Sequence, residues 1–283
     1  MNKIEAAMIY RGVFKNYIQV ILNVIRGKEG IKVIFRDDGH EEILGKNKVL
    51  GILHVIENSK YLYLTQLRYK LKLESRKGVG DWRGVFFQDE YKWLIDGQKD
   101  PIIIDIGGEV GDTALYFAMK GAKEVIVIEP FPNNYEYLIK NINSNNFQDK
   151  IKPINAMVGR ENKKTTIVIP EEFIVRDAKE SQGGYEIEII TLSKLIERFN
   201  LREALLKMDC EGCEYESILN ENDETLKIFK RIELEYHYGY EKLKEKLEKS
   251  GFNVKYTEPK KSHNPDATNP DMVVGYIYAE KGK

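Results

Sequence analysis

The chain has little cysteine and no long apolar run, and each of these shortages excludes certain classes of protein or binding site. Only Cys210 and Cys213 occur among 283 residues, which excludes a disulfide scaffold and a zinc site built on four cysteines. No stretch approaches the roughly 18 uninterrupted apolar residues of a membrane span. The best N-terminal candidate, residues 17–25, contains Gln19 and Asn23 and lacks a small-residue cleavage site, so no signal peptide is predicted. These absences predict a cytoplasmic protein.

The sequence also lacks an overall excess of either charge, with a net charge of -1. Hydrophobic residues make up 42% and charged residues 31%, which favours a folded core over a disordered chain. The charges are unevenly placed: residues 1–98 hold 17 Lys and Arg against 12 Asp and Glu, and residues 99–283 hold 27 against 33. A basic first third could steer an anionic partner such as nucleic acid, although no RNA-binding module is recognisable.

Residues 1–98 are predicted to form an α+β accessory or substrate region. Apolar residues at helical spacing over 5–26 predict one helix, which packs on the body or a second subunit, or lies on a membrane surface. Strict alternation over 67–73 predicts a half-exposed strand. The oligomeric state stays open, and a homo-oligomer is one outcome.

Residues 99–283 alternate short apolar runs with amphipathic helices, and a β insertion is expected over 164–190. Strands are predicted at 101–105, 124–129, 151–155, 204–208, 231–236, 253–256 and 272–279. This order is typical of βαβ units, so the second domain is predicted as an α/β fold with a mostly parallel sheet and helices on both faces.

The segment 105–113, Asp-Ile-Gly-Gly-Glu-Val-Gly-Asp-Thr, lies where a doubly wound sheet binds its ligand. A dinucleotide needs G-x-G-x-x-G, but Ile106 occupies the first glycine position. An acid before G-x-x-x-G instead suits S-adenosylmethionine, whose ammonium group an acid can balance. Glu129, which ends the second strand, could accept the ribose hydroxyls of either cofactor. The predicted cofactor-binding residues here are Asp105, Gly107, Gly108, Gly111, Asp112 and Glu129.

Two segments resemble the FkbM-type methyltransferases. The first is 103–113 with its continuation 127–133, and the second is 206–214, which contains Lys-x-Asp-x-Glu-Gly-x-Glu. The resemblance implies a class I methyltransferase (Rossmann-like) fold with seven strands, S-adenosylmethionine as cofactor, and O-methylation of a sugar, glycan or small-molecule hydroxyl. It also implies an adenine contact at Asn155. The chain departs from the family at Gly108-Glu109, where Ala-Asn is usual, and the added carboxylate could alter how the methionine end is held.

The ends of the fourth and fifth strands, which face the methyl group in this fold, carry the catalytic candidates. Methyl transfer is an in-line displacement governed by positioning, and a base that takes the hydroxyl proton helps. The candidates are Asp209, Glu211 and His237. His237 has the most suitable ordinary pKa, although it could instead cap a strand. With Glu235 these groups also suit a magnesium-like ion, but no metal is predicted. Glu214 is expected in the first turn of the next helix.

Cys210 and Cys213 form a C-x-x-C spacing, which can signal redox or zinc chemistry. Zinc would need two more strong ligands at suitable spacing, and none is present nearby. Because the pair fills the variable positions of the 207–214 motif, we interpret both cysteines as small packing residues. Two other functions remain open: an RNA methyltransferase that uses the basic N-terminal region, and a non-catalytic binding protein, which Glu109 suggests.

Overall fold

A computed structural model describes residues 3–36, 39–76, 79–167, 184–261 and 272–282. The chain begins with a small α+β module that has its own apolar core, in which Phe14, Ile31 and Val33 are fully buried. Its elements are helices α1 (Lys3–Val13) and α2 (Tyr17–Ile25) and the antiparallel strands β1 (Gly30–Ile34) and β2 (Glu41–Gly45).

The prediction of a single helix over 5–26 is wrong, because the chain leaves the helix to join the edge of the hairpin. Phe14 forms an isolated antiparallel bridge with Phe35, and Lys15 N donates to the carbonyl of Ile34. The side chain of Asn16 then accepts from Ile34 N. These tertiary hydrogen bonds replace the helical ones that the periodicity alone would continue.

Helix α3 (Lys46–Tyr69) leads to two short helices, α4 (Trp82–Phe87) and α5 (Lys92–Ile95). The predicted strand at 67–73 is wrong: α3 continues to Tyr69 and ends at a left-handed Lys70. Beyond it, the backbone groups of residues 72 and 74 pair with asparagine side chains at 145 and 141 rather than with a strand. Within the described ranges, no helix has the length and apolarity needed to cross a membrane.

The rest of the chain builds a large sheet with helices on both faces. The elements are β3 (Ile102–Ile106), α6 (Asp112–Met119), β4 (Glu124–Ile128), α7 (Pro132–Ser144), β5 (Ile151–Ile154), β6 (Ala156–Val158), β7 (Lys163–Ile167), β8 (Tyr185–Ile190), α8 (Leu192–Arg198), β9 (Ala204–Met208), α9 (Cys213–Ile218), α10 (Asp223–Leu226), β10 (Phe229–Tyr236), α11 (Glu241–Lys249), β11 (Phe252–Tyr256), β12 (Lys260–Lys261) and β13 (Val273–Lys281).

The strand order is β11-β13-β10-β9-β3-β4-β5, in which only β13 runs antiparallel to its neighbours. The short strand β12 pairs antiparallel with β13. This confirms the predicted class I architecture with a mostly parallel sheet of seven principal strands. Strands β6, β8 and β7 form a separate three-stranded sheet. Strands β7 and β8 correspond to the β insertion predicted over 164–190, whose residues 168–183 lie outside the described part of the chain, whereas β6 precedes it and was not predicted.

The central strands are buried on both faces, which explains their nearly continuous apolar sequences. Ile104 and Leu206 belong to one apolar core, and Ile103 and Leu205 belong to the other. Helices α4 and α5 pack into that second core through Trp82, Phe86 and Leu94, among others. The later part of residues 1–98 therefore shares a core with the sheet, and the domain boundary at residue 98 stays a prediction.

Glu233 of β10 carries a fully buried carboxyl group. Burial, with the charge of Glu90, raises the pKa of Glu233 from an ordinary 4.5 to about 8. The pKa in the folded state therefore lies above that in the unfolded state. The stability contributed by the protonated form is complete below pH 4.5 and is lost as the pH rises towards 8.

We expect Glu233→Gln to become more stable relative to the wild type as the pH rises. Because one pKa unit corresponds to about 1.4 kcal/mol, the advantage of the amide should grow by roughly 2–4 kcal/mol between about pH 5 and about pH 8. Urea denaturation at both pH values measures this change. Glu224→Gln removes an exposed carboxylate and is the matched control. Parallel pH curves for wild type and Glu233→Gln would contradict the expectation.

Candidate active site

The turn between β3 and α6 lies tightly against the ends of β4 and β9. Gly107 N and Gly108 N both donate to the carbonyl of Ile128 at 3.0 Å. Gly107 has a left-handed backbone (φ +79°), and a Cβ there would overlap the carbonyl oxygen of Asp209. Gly111 completes the turn immediately before α6. The turn therefore needs glycine at position 107 both for its conformation and for its contact with β9.

A buried ion pair supports this turn. Lys207 Nζ lies 3.0 Å from Asp105 Oδ1 and donates to the carbonyl of Gly107 at 2.8 Å. Burial lowers the pKa of Lys207, but the charges of Asp105 and Asp209 outweigh it and keep the pKa above its usual value. Thr113 Oγ1 donates to the other oxygen of Asp105. Both oxygens of Asp105 are thus engaged by the protein, which differs from the prediction that this acid balances the cofactor's ammonium.

Two acids of the turn bind the N-terminal region. Glu109 Oε2 accepts from Gly80 N at 2.9 Å, and Asp112 Oδ2 accepts from Asp81 N at 2.6 Å. Burial, with the charge of Glu109, raises the pKa of Asp112. The unusual Glu109 therefore has a structural role, because its carboxylate joins the 79–81 segment to the turn.

Glu129, the acid that follows β4, fixes the conformation of the next loop through hydrogen bonds. Glu129 is 2% exposed, and its two oxygens accept from Glu109 N and Phe131 N, each at 2.9 Å. Burial raises the pKa of Glu129 to about 8. Asn155 donates to the carbonyls of Glu129 and Pro130. The predicted ribose and adenine residues therefore both shape the loop after β4, and their direct contacts with a cofactor stay predictions.

A cleft of about 550 Å³ opens beside the turn at the carboxyl ends of β3 and β4. Of the predicted site residues, Gly107 and Glu211 line it. Its apolar lining includes Ile106, Ile128, Phe131, Met157, Val158 and Ile189. Glu161 and Glu216 add carboxylates to the lining. These two carboxylates pair with Lys163 and Arg160, which also line the cleft. The apolar side chains suit a purine, so the residues present fit the adenine of S-adenosylmethionine.

Beside this cleft, the strand-end candidates meet around one histidine. His237 is 2% exposed; its Nδ1 lies 3.2 Å from Glu214 Oε1, and its Nε2 lies 3.2 Å from Glu211 Oε2 and 3.8 Å from Asp209 Oδ1. Burial lowers the pKa of His237, but the hydrogen bond to Glu214 and the three carboxylate charges outweigh it and raise the pKa to about 10. This pKa favours the imidazolium at neutral pH, and a role for His237 as the base stays a prediction.

The sequence model of the Methyltransferase FkbM domain family matches residues 105–254, which is more than half of the chain. The chain belongs to the FkbM methyltransferase family. It is an S-adenosylmethionine-dependent methyltransferase, as the fold and the two motifs predicted. No curated protein matches the sequence.

Solved structures resemble this FkbM methyltransferase in fold. The METTL16 MTase domain has 14% identity and a TM-score of 0.50 over 93% of this chain and 89% of that one. A putative RNA methyltransferase, PH1948 from Pyrococcus horikoshii, has 16% identity and a TM-score of 0.43, with coverages of 80% and 100%. TYW2 of M. jannaschii in complex with AdoMet has 18% identity and a TM-score of 0.40, with coverages of 75% and 82%. At these identities the likeness concerns the fold alone.

In the FkbM domain, the donor atoms of Asp209, Glu211 and His237 lie within 4.8 Å of one another. Such a set is close enough to share one divalent cation. The ion pairs of His237 with Glu211 and Glu214 also account for the arrangement without a metal. We therefore assign no metal to the cluster.

The two cysteines of the FkbM motif form a disulfide, which corrects their interpretation as packing residues. Cys210 and Cys213 are bonded, and their Cα atoms lie 5.5 Å apart, within the usual range for a disulfide. The variable positions of the motif are thus covalently linked across the tight turn at the start of α9.

Sequence reasoning missed two residues that the fold brings to this site. Lys207 had a usable signal, because a charged residue inside the otherwise apolar strand β9 requires a buried partner. Tyr238 follows His237 in the chain and lines the cleft, but no feature of the sequence indicated it. Glu214 lies in the first turn of α9 as predicted, but it is fully buried against His237.

Proposed function

We propose that the chain transfers a methyl group from S-adenosylmethionine to a hydroxyl of a sugar, glycan or other polar small molecule. When bound, the cofactor supplies a methyl group activated by a sulfonium. The observation that carries the proposal is the pair of carboxylates, Asp209 and Glu211, that His237 gathers beside the cleft. A hydroxyl is a poor nucleophile, and a carboxylate in hydrogen-bond reach can orient it and take its proton.

Each member of the cluster then has a distinct role. Asp209 and Glu211 are partly accessible, with 31% and 21% of their side chains exposed, so an acceptor can reach them. The buried imidazolium of His237 holds both carboxylates in place, and Glu214 holds His237 from the opposite side. Asp209, which is the more exposed of the two and lies farther from His237, is accordingly the proton acceptor, and His237 is the positioning residue.

The electrostatics near the cluster favour a hydroxyl-bearing acceptor over a phosphodiester. Glu235 and Glu90 lie close enough to Asp209 for its charge to raise the pKa of both, although burial is the larger cause. Tyr276 donates to Glu90 within the same group. Because a raised pKa favours the neutral acid, Glu235 and Glu90 offer hydrogen-bonding groups to a hydroxyl-bearing acceptor, and the carboxylates of Asp209 and Glu211 repel a phosphate. The RNA alternative, which relies on Lys70, Lys72 and Arg76 of the N-terminal region, has no comparable support.

We expect Asp209→Asn to lower kcat by about 100-fold or more while the Kd for S-adenosylmethionine stays within about threefold, because the amide keeps the shape but cannot take a proton. Transfer of a radiolabelled methyl group to a panel of methyl glycosides and hydroxylated small molecules measures kcat, and calorimetry measures Kd. Glu224→Gln, at an exposed surface pair, is the matched control.

Two results would count against this function. The first is full activity of Asp209→Asn on the best acceptor of the panel. The second is labelling of RNA transcripts, lost when Lys70, Lys72 and Arg76 are neutralised, with no labelling of any hydroxyl compound in the panel.

A further inference from the structure

The loop that joins β9 to α9 closes on itself through the disulfide and forms part of the cleft lining. Cys210, Glu211, Gly212 and Cys213 all line the cleft. Both cysteines are half-buried rather than enclosed in the core. A small reductant that enters the cleft can therefore reach the sulfur atoms without unfolding the protein.

The disulfide closes a turn in which Glu211 has an unfavourable backbone conformation. Between the two bonded cysteines, Glu211 has φ +58° and Gly212 has φ +121°, so two consecutive residues are in positive-φ conformations. A side-chain-bearing residue rarely adopts such a conformation unless its surroundings impose it. A disulfide restricts the conformations of the short loop that it closes, and here that loop holds the carboxylate of Glu211 next to His237.

The disulfide also adjoins the hydrogen bonds that orient the histidine. Glu214 Oε1 accepts from Cys210 N at 3.1 Å and lies 3.2 Å from His237 Nδ1. Cys210 Sγ lies 3.5 Å from this same oxygen. In the disulfide that sulfur has no proton, whereas the reduced thiol can donate to Glu214 and compete with His237. Reduction therefore changes both the cleft lining and the support of the strand-end cluster.

We propose that Cys210 and Cys213 are a reversible thiol–disulfide site whose redox state sets the affinity of the cleft for S-adenosylmethionine. The reducing partner is a dithiol: it supplies two electrons and two protons, the Sγ–Sγ bond breaks, two cysteine thiols form, and the dithiol closes to its own disulfide. The oxidised form holds the loop in the binding conformation, and the reduced form releases it. This inference rests on the cleft being the cofactor site of the proposed function.

The test compares the two redox states of the full chain. One half of an oxidised preparation is reduced with dithiothreitol, both halves are freed of reductant without air, and alkylation followed by mass measurement counts the thiols. Calorimetry then gives the Kd for S-adenosylmethionine. We expect reduction to weaken binding about 10-fold, equivalent to about 1.4 kcal/mol, and reoxidation to restore it. The Cys210→Ser/Cys213→Ser variant should bind like the reduced form and ignore dithiothreitol.

The possible outcomes distinguish a failure of this inference from a failure of the proposed function on which it rests. Equal Kd values for fully oxidised and fully reduced protein overturn the redox site and leave the cofactor site intact. A folded protein that yields no thiols with dithiothreitol overturns it as well. Absence of binding in both states would instead remove the cofactor site on which the inference rests. The wild-type comparison needs no variant, so it holds even if the double serine variant does not fold.

Discussion

Lys207→Met should destabilise the fold by about 3–5 kcal/mol and abolish S-adenosylmethionine binding. The substitution leaves the carboxylate of Asp105 buried without its cation, since Lys207 and Asp105 are 1% and 0% exposed. It also removes the donor to the carbonyls of Ile106 and Gly107, so the turn loses its support. Urea denaturation gives the loss of stability, and calorimetry gives the loss of binding.

Two further variants isolate the cause of that effect. Adding Asp105→Asn to Lys207→Met removes the unpaired charge, so the double variant should recover much of the stability although not the binding. Lys227→Met breaks a surface pair with Glu224 and should cost less than about 1 kcal/mol. If Lys207→Met costs no more than Lys227→Met, the buried pair does not hold the turn.

Gly107→Ala should weaken cofactor binding by about 100-fold, equivalent to about 2.7 kcal/mol. The added Cβ would overlap the carbonyl oxygen of Asp209, and neither backbone can yield without moving the end of β9. That displacement would move the cleft lining and the strand-end cluster together. Calorimetry measures the change in affinity, and urea denaturation measures the accompanying loss of stability.

Gly121→Ala supplies the matched control for this effect. Gly121 also has a left-handed backbone, with φ +101°, but nothing lies within 4 Å of the position of its Cβ. The Gly121→Ala variant should therefore lose only about 1 kcal/mol of stability, which is the conformational cost, and its affinity for the cofactor should be unchanged. Equal behaviour of the two alanine variants would show that the contact with Asp209 is unimportant.

The N-terminal region contacts the turn between β3 and α6 through backbone amides. Glu109 and Asp112 bind the amides of Gly80 and Asp81, so the 79–81 segment lies against the turn. Asn58 of α3 donates to the carbonyl of Gly80 and supports the same segment. The 79–81 segment therefore supports the glycine turn, whatever the net charge of the region.

Local pattern was enough to predict the architecture. Apolar runs such as Ile102–Ile106 and Ala204–Met208 are interpretable as buried parallel strands because their burial on two faces requires an apolar residue at nearly every position. The glycine turn and the 207–214 motif were equally visible, since a turn and a strand end depend on residues close together in the chain. The fold, the family and the edge of the sheet that bears the site followed from these features.

The chemistry of individual side chains depended on contacts that no local pattern contains. Asp105 pairs with Lys207, and His237 pairs with three carboxylates, because folding brings these residues together and buries the lysine and the histidine. The cysteine pair is bonded because the backbone turns tightly between its members. A pKa, an ion pair and a disulfide each depend on distance and burial, and those quantities exist only once the strands are assembled.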